Sequence, residues 1–236
     1  MYTTQGRVRY SEVDNTGKIT IPGIVNYFQD CSTFHSEDIG VGYGTLELKQ
    51  KAWVLTSWQV IVERYVDFAE EITVSTFPTG FRGLYGTRNF LMHDNMGQRV
   101  AYANSIWVYM DIKNGRPTRP DNEEIEKYGV ESAIEMDYAD RKITVSSQLE
   151  PACPFPVRKY HIDTNDHVNN CQYIQMAIEV LPKPVVVKQV RVEYKKSAVY
   201  GDMIFPKIGY EEERVVVELC DENEKSFAIV EFIGEK

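Results

Sequence analysis

The apolar positions of this chain change period in a fixed order, and the order occurs twice. Residues 2–10 alternate like a strand and run into a loop that carries Asp14. Ile21, Ile24, Val25 and Phe28 then recur at helical spacing, with Ser32 on the same face. Thr20 is placed to cap this helix. Pro22 falls in its first turn, where a missing N–H costs little. Gly40, Gly42 and Gly44 are expected to end it. Long β-rich runs follow at 53–65, 72–79, 83–93 and 99–112, with turns at "DNMG" (94–97) and "NG" (114–115).

The second half repeats the pattern. Residues 153–160 read as a strand, and 168–180 as a helix stopped by Pro182 and Pro184. Residues 185–196, 203–210, 215–220 and 226–232 read as strands. Val168, Cys171, Tyr173, Ile174, Met176, Ala177, Ile178 and Val180 cover more than one side of the helix, as a buried helix requires. "VRYSEVD" (8–14) aligns with "VRKYHID" (157–163) at an offset of 149, and "QVIVE" (59–63) with "QVRVE" (189–193) at 130. A duplication with loops of unequal length accounts for both. One helix followed by four long antiparallel strands predicts an α+β unit in which a sheet wraps around a buried helix. Two such sheets joined edge to edge would remove exposed strand edges. The expected division is an N-terminal unit over 1–130, an acidic linker over 131–150 and a C-terminal unit over 151–236.

Composition narrows the class. The 236 residues are 43% hydrophobic and 26% charged, as in ordinary globular proteins. No apolar run is long enough to cross a bilayer, and the opening "MYTTQGRVRYSEVD" has no signal-peptide core. Cys31, Cys153, Cys171 and Cys220 are scattered, which points to a reducing, cytoplasmic location rather than a disulfide framework. A net charge of −9 argues against nucleic acid as partner. Residues 121–140 hold eight acids and one base, whereas 183–200 hold Lys183, Lys188, Arg191, Lys195 and Lys196 against Glu193. That basic run is either a steering surface for an acidic partner or plain solvated surface.

The densest chemistry lies in "HIDTNDHVNN" (161–170), at the start of the second helix. Asp, Asn and Thr before a helix are ordinary cap residues. His161, Asp163 and His167 make a conceivable metal set, but no clear fourth ligand accompanies them. "DTNDHVNNCQYI" (163–174) resembles the D-x-N-x-H-V-N-N-x-x-Y-I signature of acyl-acyl carrier protein thioesterases. "VEYKKSA" (192–198) resembles that family's L-E-Y-R-R-E-C segment. "WVLTSWQVIVERYVDFAEEITVSTF" (53–77) resembles its W-V-V-x-R stretch. The likeness runs over nearly the whole chain. It implies a tandem hotdog and hydrolysis of fatty acyl thioesters on acyl carrier protein, without metal or organic cofactor.

These residue types suit that chemistry. A thioester needs an attacking water and a donor for the developing oxyanion, while its thiolate leaves readily. Asp163 can take a proton or orient a base. The imidazole of His167 is a natural proton carrier, and Asn165 offers both a donor and an acceptor. Free N–H groups at the helix start are further oxyanion donors. By ungapped alignment Asp14 matches Asp163, but Thr16 replaces Asn165 and Lys18 replaces His167. One active site per chain is therefore expected, in the second half, with the first half shaping the acyl pocket. Trp53, Val54, Trp58, Val60 and Phe81 are wall candidates by type and place, each equally explained as core. Lys195 and Lys196 are candidates for carrier contact. The family's E-C is Ser197 and Ala198 here: Ala198 cannot be a nucleophile, and Ser197 is left an auxiliary hydrogen-bonding role. The competing readings are an acyl-coenzyme A thioesterase, a hotdog hydratase or dehydratase, and a non-catalytic acyl-binding module. A homodimer stays open, since fused hotdogs act alone or in pairs.

Overall fold

A computed structural model describes residues 1–145, 148–183, 185–211 and 213–234. Pro184, read above as part of a helix stop, lies outside the described residues. The chain divides into two compact units: Met1–Thr56 with Val60–Ala139, and Asp140–Lys236 with Ser57–Gln59.

The first unit contains β1 (Tyr2–Arg7), α1 (Ile21–Asp38), α2 (Tyr43–Leu48), β2 (Lys51–Val62), β3 (Glu71–Arg82), β4 (Tyr85–Asp94), β5 (Arg99–Asp111), β6 (Arg116–Pro117) and α3 (Asn122–Tyr128). Strands β1, β3, β4 and β5 pair antiparallel in that order, with β2 beside β5. Thr20 Oγ1 caps α1 by accepting the Gly23 N–H at 3.0 Å. Ile24, Val25, Phe28 and Cys31 are fully buried, and the Phe28 ring lies 5.3 Å from Phe90 on β4. The glycine cluster does not simply end the helix. Gly40 turns the chain at φ +72, but Gly42 caps α2 and Gly44 lies inside it. The Glu37 carboxylate drives this extra turn by accepting the Tyr43 N–H at 2.7 Å. Residues 131–138, expected as linker, run over the β3–β4 surface. Glu131 N–H donates to Pro78 O, and Asn89 Oδ1 accepts from Ile134 N–H and Tyr138 OH.

The second unit contains β7 (Glu150–Pro151), β8 (Phe155–Pro156), α4 (Asn170–Glu179), β9 (Val187–Tyr194), β10 (Met203–Tyr210), β11 (Arg214–Cys220) and β12 (Ser226–Gly234). The sheet order is β9-β12-β11-β10-β7, with β8 on β10. Helix α4 buries Cys171, Tyr173, Ile174, Met176 and Ala177 and packs on β11 and β12. The strand expected over 153–160 shrinks to two residues and a 3-10 turn, Lys159–His161. Pro154 and Pro156 carry no N–H, so this stretch cannot supply a regular ladder.

The backbone repeats at the 149-residue offset. The 3-10 turns Tyr10–Glu12 and Lys159–His161 correspond, as do the isolated bridges Val13↔Ile19 and Ile162↔Val168 and the helix caps Thr20 and Asn169.

Candidate active site

The bridge between Ile162 and Val168 closes a tight turn over Asp163–His167. Asp163 N–H donates to His167 O at 2.8 Å, and Asp166 N–H to Asp163 O at 3.2 Å. Asp166 takes a left-handed conformation, φ +59. Asp163 Oδ1 accepts the Asn165 N–H at 2.8 Å. Among the described residues the same turn occurs three more times. Asp14 accepts from Thr16 N–H, Asp94 from Met96 N–H and Asp221 from Asn223 N–H, each with a left-handed residue three places after the Asp. Asp163 thus has a local job in holding the turn that its catalytic reading did not anticipate. The signal was present in "DNTG" (14–17) and "DNMG" (94–97), which place Asp at the same point of the turn.

What is particular to the second unit is what the turn displays. Asn165 and His167 are exposed and Asp163 is half-buried. Among the described residues no hydrogen bond joins the three side chains, and Asp163 Oδ2 accepts none. The start of α4 is largely satisfied: Asn169 Oδ1 takes the Cys171 N–H at 2.9 Å, and Asn169 O takes the Gln172 N–H at 2.9 Å. The expected bank of free helix donors therefore shrinks to the Asn170 N–H, which has no partner among the described residues. His161 turns inward. Its Nδ1 accepts the Arg158 N–H at 2.9 Å, and burial, helped by Arg158, lowers its pKa. Among the described residues no three His, Cys, Asp or Glu side chains converge as a metal set.

The backbone brings Ala198 to this turn. Val168 N–H donates to Ala198 O at 2.9 Å, and exposed Ser197 precedes Ala198 in the chain. Ala198 is fully buried, and its N–H donates to the Tyr173 hydroxyl at 2.8 Å. Tyr173, read only as core, thereby ties α4 to the 197–199 segment. Burial, with the Asp202 and Asp163 charges adding, pushes its pKa up to about 12. The position matched to Tyr173 in the first copy is Ile24, which has no hydroxyl to offer.

The basic run is less free than its composition implied. Lys195 pairs with Glu193 at 3.0 Å and Lys196 with Asp221 at 2.6 Å. Arg191 is mostly buried, bonded to Glu231 and to the carbonyls of Asp140 and Lys142. Glu193 is also structural: its Oε2 accepts the Ile143 N–H. In the first unit Trp53 is half-buried, and its indole N–H donates to the fully buried Glu124 at 2.8 Å. Trp58 is buried, 2% exposed.

Comparison with known proteins identifies the family and the fold. Residues 1–128 match the acyl-ACP thioesterase N-terminal domain, and residues 144–231 match the acyl-ACP thioesterase C-terminal domain. The chain belongs to the acyl-ACP thioesterase family. A family relative, the chloroplastic palmitoyl-acyl carrier protein thioesterase of Arabidopsis thaliana, is 29% identical over 215 residues, which is 80% of this chain and 50% of that one. The chain spans about half the length of the curated relatives it matches. An acyl-ACP thioesterase crystal structure from Bacteroides thetaiotaomicron superposes with a TM-score of 0.89 at 23% identity, covering 99% of this chain and 97% of that one. The 12:0-ACP thioesterase of Umbellularia californica gives 0.86 at 18% identity, covering 99% and 96%. The fold is the hotdog type of acyl-ACP thioesterases, antiparallel sheet with few helices. Among the described residues no helix is long and apolar enough to cross a membrane.

Proposed function

We propose that the protein hydrolyses fatty acyl thioesters on acyl carrier protein, releasing free fatty acid and the carrier thiol. The observation that carries this reading is the match to both acyl-ACP thioesterase domains, joined to a turn that displays Asn165 and His167 only in the second unit. A water beside the turn attacks the carbonyl carbon. His167 takes its proton, and Asp163 Oδ2 is a further acceptor left open on the same turn. The Asn165 amide and the Asn170 N–H donate to the developing oxyanion. The carbon–sulfur bond then breaks, and the thiolate leaves without strong acid assistance because its pKa is only about 8.5. Ser197 is an auxiliary donor at the rim.

The reading includes a tandem hotdog in which each sheet wraps its own helix. The burial of α1 and α4 on several faces supports this. It assigns the first unit to the acyl chain, with Trp53 as a wall residue; Trp58, the other wall candidate, groups with the second unit. Lys195 and Lys196 contribute to carrier contact, and their internal carboxylate partners limit that contribution. Four free thiols support a reducing, cytoplasmic setting.

The test is thiol release from acyl carrier protein and coenzyme A esters of several chain lengths. Faster release from the carrier protein supports the proposal. Equal or faster release from coenzyme A points to the other carrier. A double-bond change without thiol release points to a hydratase, and ligand binding with no reaction points to a binding module.

A further inference from the structure

Buried donors in folded proteins nearly always meet an acceptor. In the first unit Arg88 Nη1 donates to Thr76 Oγ1 at 3.2 Å and to His35 Nδ1 at 3.0 Å, which fixes the His35 ring as neutral. In the second unit the Tyr194 hydroxyl donates to Asn170 O at 2.9 Å. Tyr173 on α4 differs. Only 2% of it is exposed. Its hydroxyl oxygen accepts the Ala198 N–H at 2.8 Å, yet among the described residues its own proton meets no acceptor. Leaving a buried O–H unpaired is costly.

The backbone around this hydroxyl does not require it. Val168 N–H donates to Ala198 O at 2.9 Å. The matched bond in the first unit, Ile19 N–H to Val66 O at 2.9 Å, forms although Ile24 stands in the place of Tyr173. The hydroxyl therefore occurs only in the copy whose turn carries Asn165 and His167. Its ring is held edge-on to Tyr194 at 5.8 Å, and Tyr194 is anchored on Asn170, the first residue of α4.

The free proton lies within the field of the turn. Burial first, then the Asp202 and Asp163 charges, push the Tyr173 pKa up to about 12, so the hydroxyl keeps its proton at neutral pH. Asp163 Oδ2 is an open acceptor, and among the described residues no direct hydrogen bond joins the two groups. An open donor and an open acceptor so related are what a single water bridges. A water has two protons and two lone pairs. Its protons can go to His167 and Asp163 Oδ2 and one lone pair to the Tyr173 O–H. The remaining lone pair then faces the carbonyl carbon.

We propose that Tyr173 is a further catalytic residue, whose O–H, together with Asp163 Oδ2, holds the attacking water at the candidate active site. Tyr173 keeps its proton throughout. The water's proton passes to His167 as the new carbon–oxygen bond forms. The catalytic role rests on the hydrolysis proposed above; the water site itself does not.

The test joins a high-resolution crystal structure of the full chain to kinetics. In the wild type a water is expected about 3 Å from both Tyr173 Oη and Asp163 Oδ2. Tyr173→Phe is expected to lose it. On acyl carrier protein esters that variant should fall in kcat by about 10- to 100-fold, with KM changed by no more than about twofold. Tyr173→Phe and Asp163→Asn disturb the same water, so the double variant should be no slower than the slower single one. Independent structural damage would multiply the two losses instead. Losses that multiply would overturn the proposal, as would an unimpaired kcat in Tyr173→Phe. Hydrolysis by a wild type without that water overturns this proposal alone. The water in place, with no ester hydrolysed, overturns the hydrolysis reading and leaves the water site standing. The wild-type structure decides even if the variants do not fold.

Discussion

Protonation of His35 should weaken the first unit in a measurable pH window. The ring is 8% exposed, stacked on Tyr2 at 5.2 Å and edge-on to Tyr128 at 5.9 Å. Burial, the Arg88 charge and the terminal amine all oppose its protonation, and only Asp38 favours it. Its folded pKa is about 4 against 6.5 for the free side chain. The unfolded chain therefore takes up the proton more readily. The stabilising effect of keeping His35 neutral is complete above pH 6.5 and disappears as pH falls toward 4. The full shift is worth about 3 kcal/mol, and roughly 2 kcal/mol of it is lost between pH 7.5 and pH 5. Urea unfolding at those two pH values measures the loss. His35→Gln is the control, because a neutral amide oxygen can still accept from Arg88 while nothing at the position titrates. Carboxylates titrate in both proteins and cancel in the comparison. Wild type should lose about 2 kcal/mol more than the variant over the interval. Equal losses would refute the assignment of a neutral, buried His35 held by Arg88.

Further outcomes concern the second unit, with Asp14 of the first unit as a control. His167→Ala and Asn165→Ala should each lower kcat/KM on acyl carrier protein substrates by about 10²–10⁴-fold. Both side chains are exposed, so thermal unfolding should move little; near-normal turnover would remove the residue from the mechanism. Asp163→Asn keeps an oxygen for the Asn165 N–H and should lose activity with the turn intact, whereas Asp163→Ala should also cost about 1 kcal/mol of stability. Asp14→Ala should show the stability loss alone, and a comparable loss of activity there would deny the one-sided site. Reversing Lys195 and Lys196 to Glu should weaken carrier use only modestly and more at low salt than at high salt, because Glu193 and Asp221 already face them. A salt-independent effect would point to structural damage instead.

The sequence by itself determined the duplicated order of elements, the helix caps and the polar turn before α4. These depend on residues a few places apart, where period, capping and turn chemistry act directly. The Asn165 and His167 positions were legible for the same reason: both project from one short turn whose partner copy carries Thr16 and Lys18. The structure decided what those groups do for each other. Asp163 spends one oxygen on its own turn, as Asp14, Asp94 and Asp221 do, which the cluster of polar letters did not distinguish from catalysis. Tyr173 meets Ala198 from 25 positions away, Lys196 meets Asp221 from the same distance, and Trp53 meets Glu124 from 71 away. Arg88 and His35 are 53 apart and carry no local signature at all. Such pairs form only when strand register and helix packing bring distant backbone together, and that registration is a property of the whole sheet rather than of any segment.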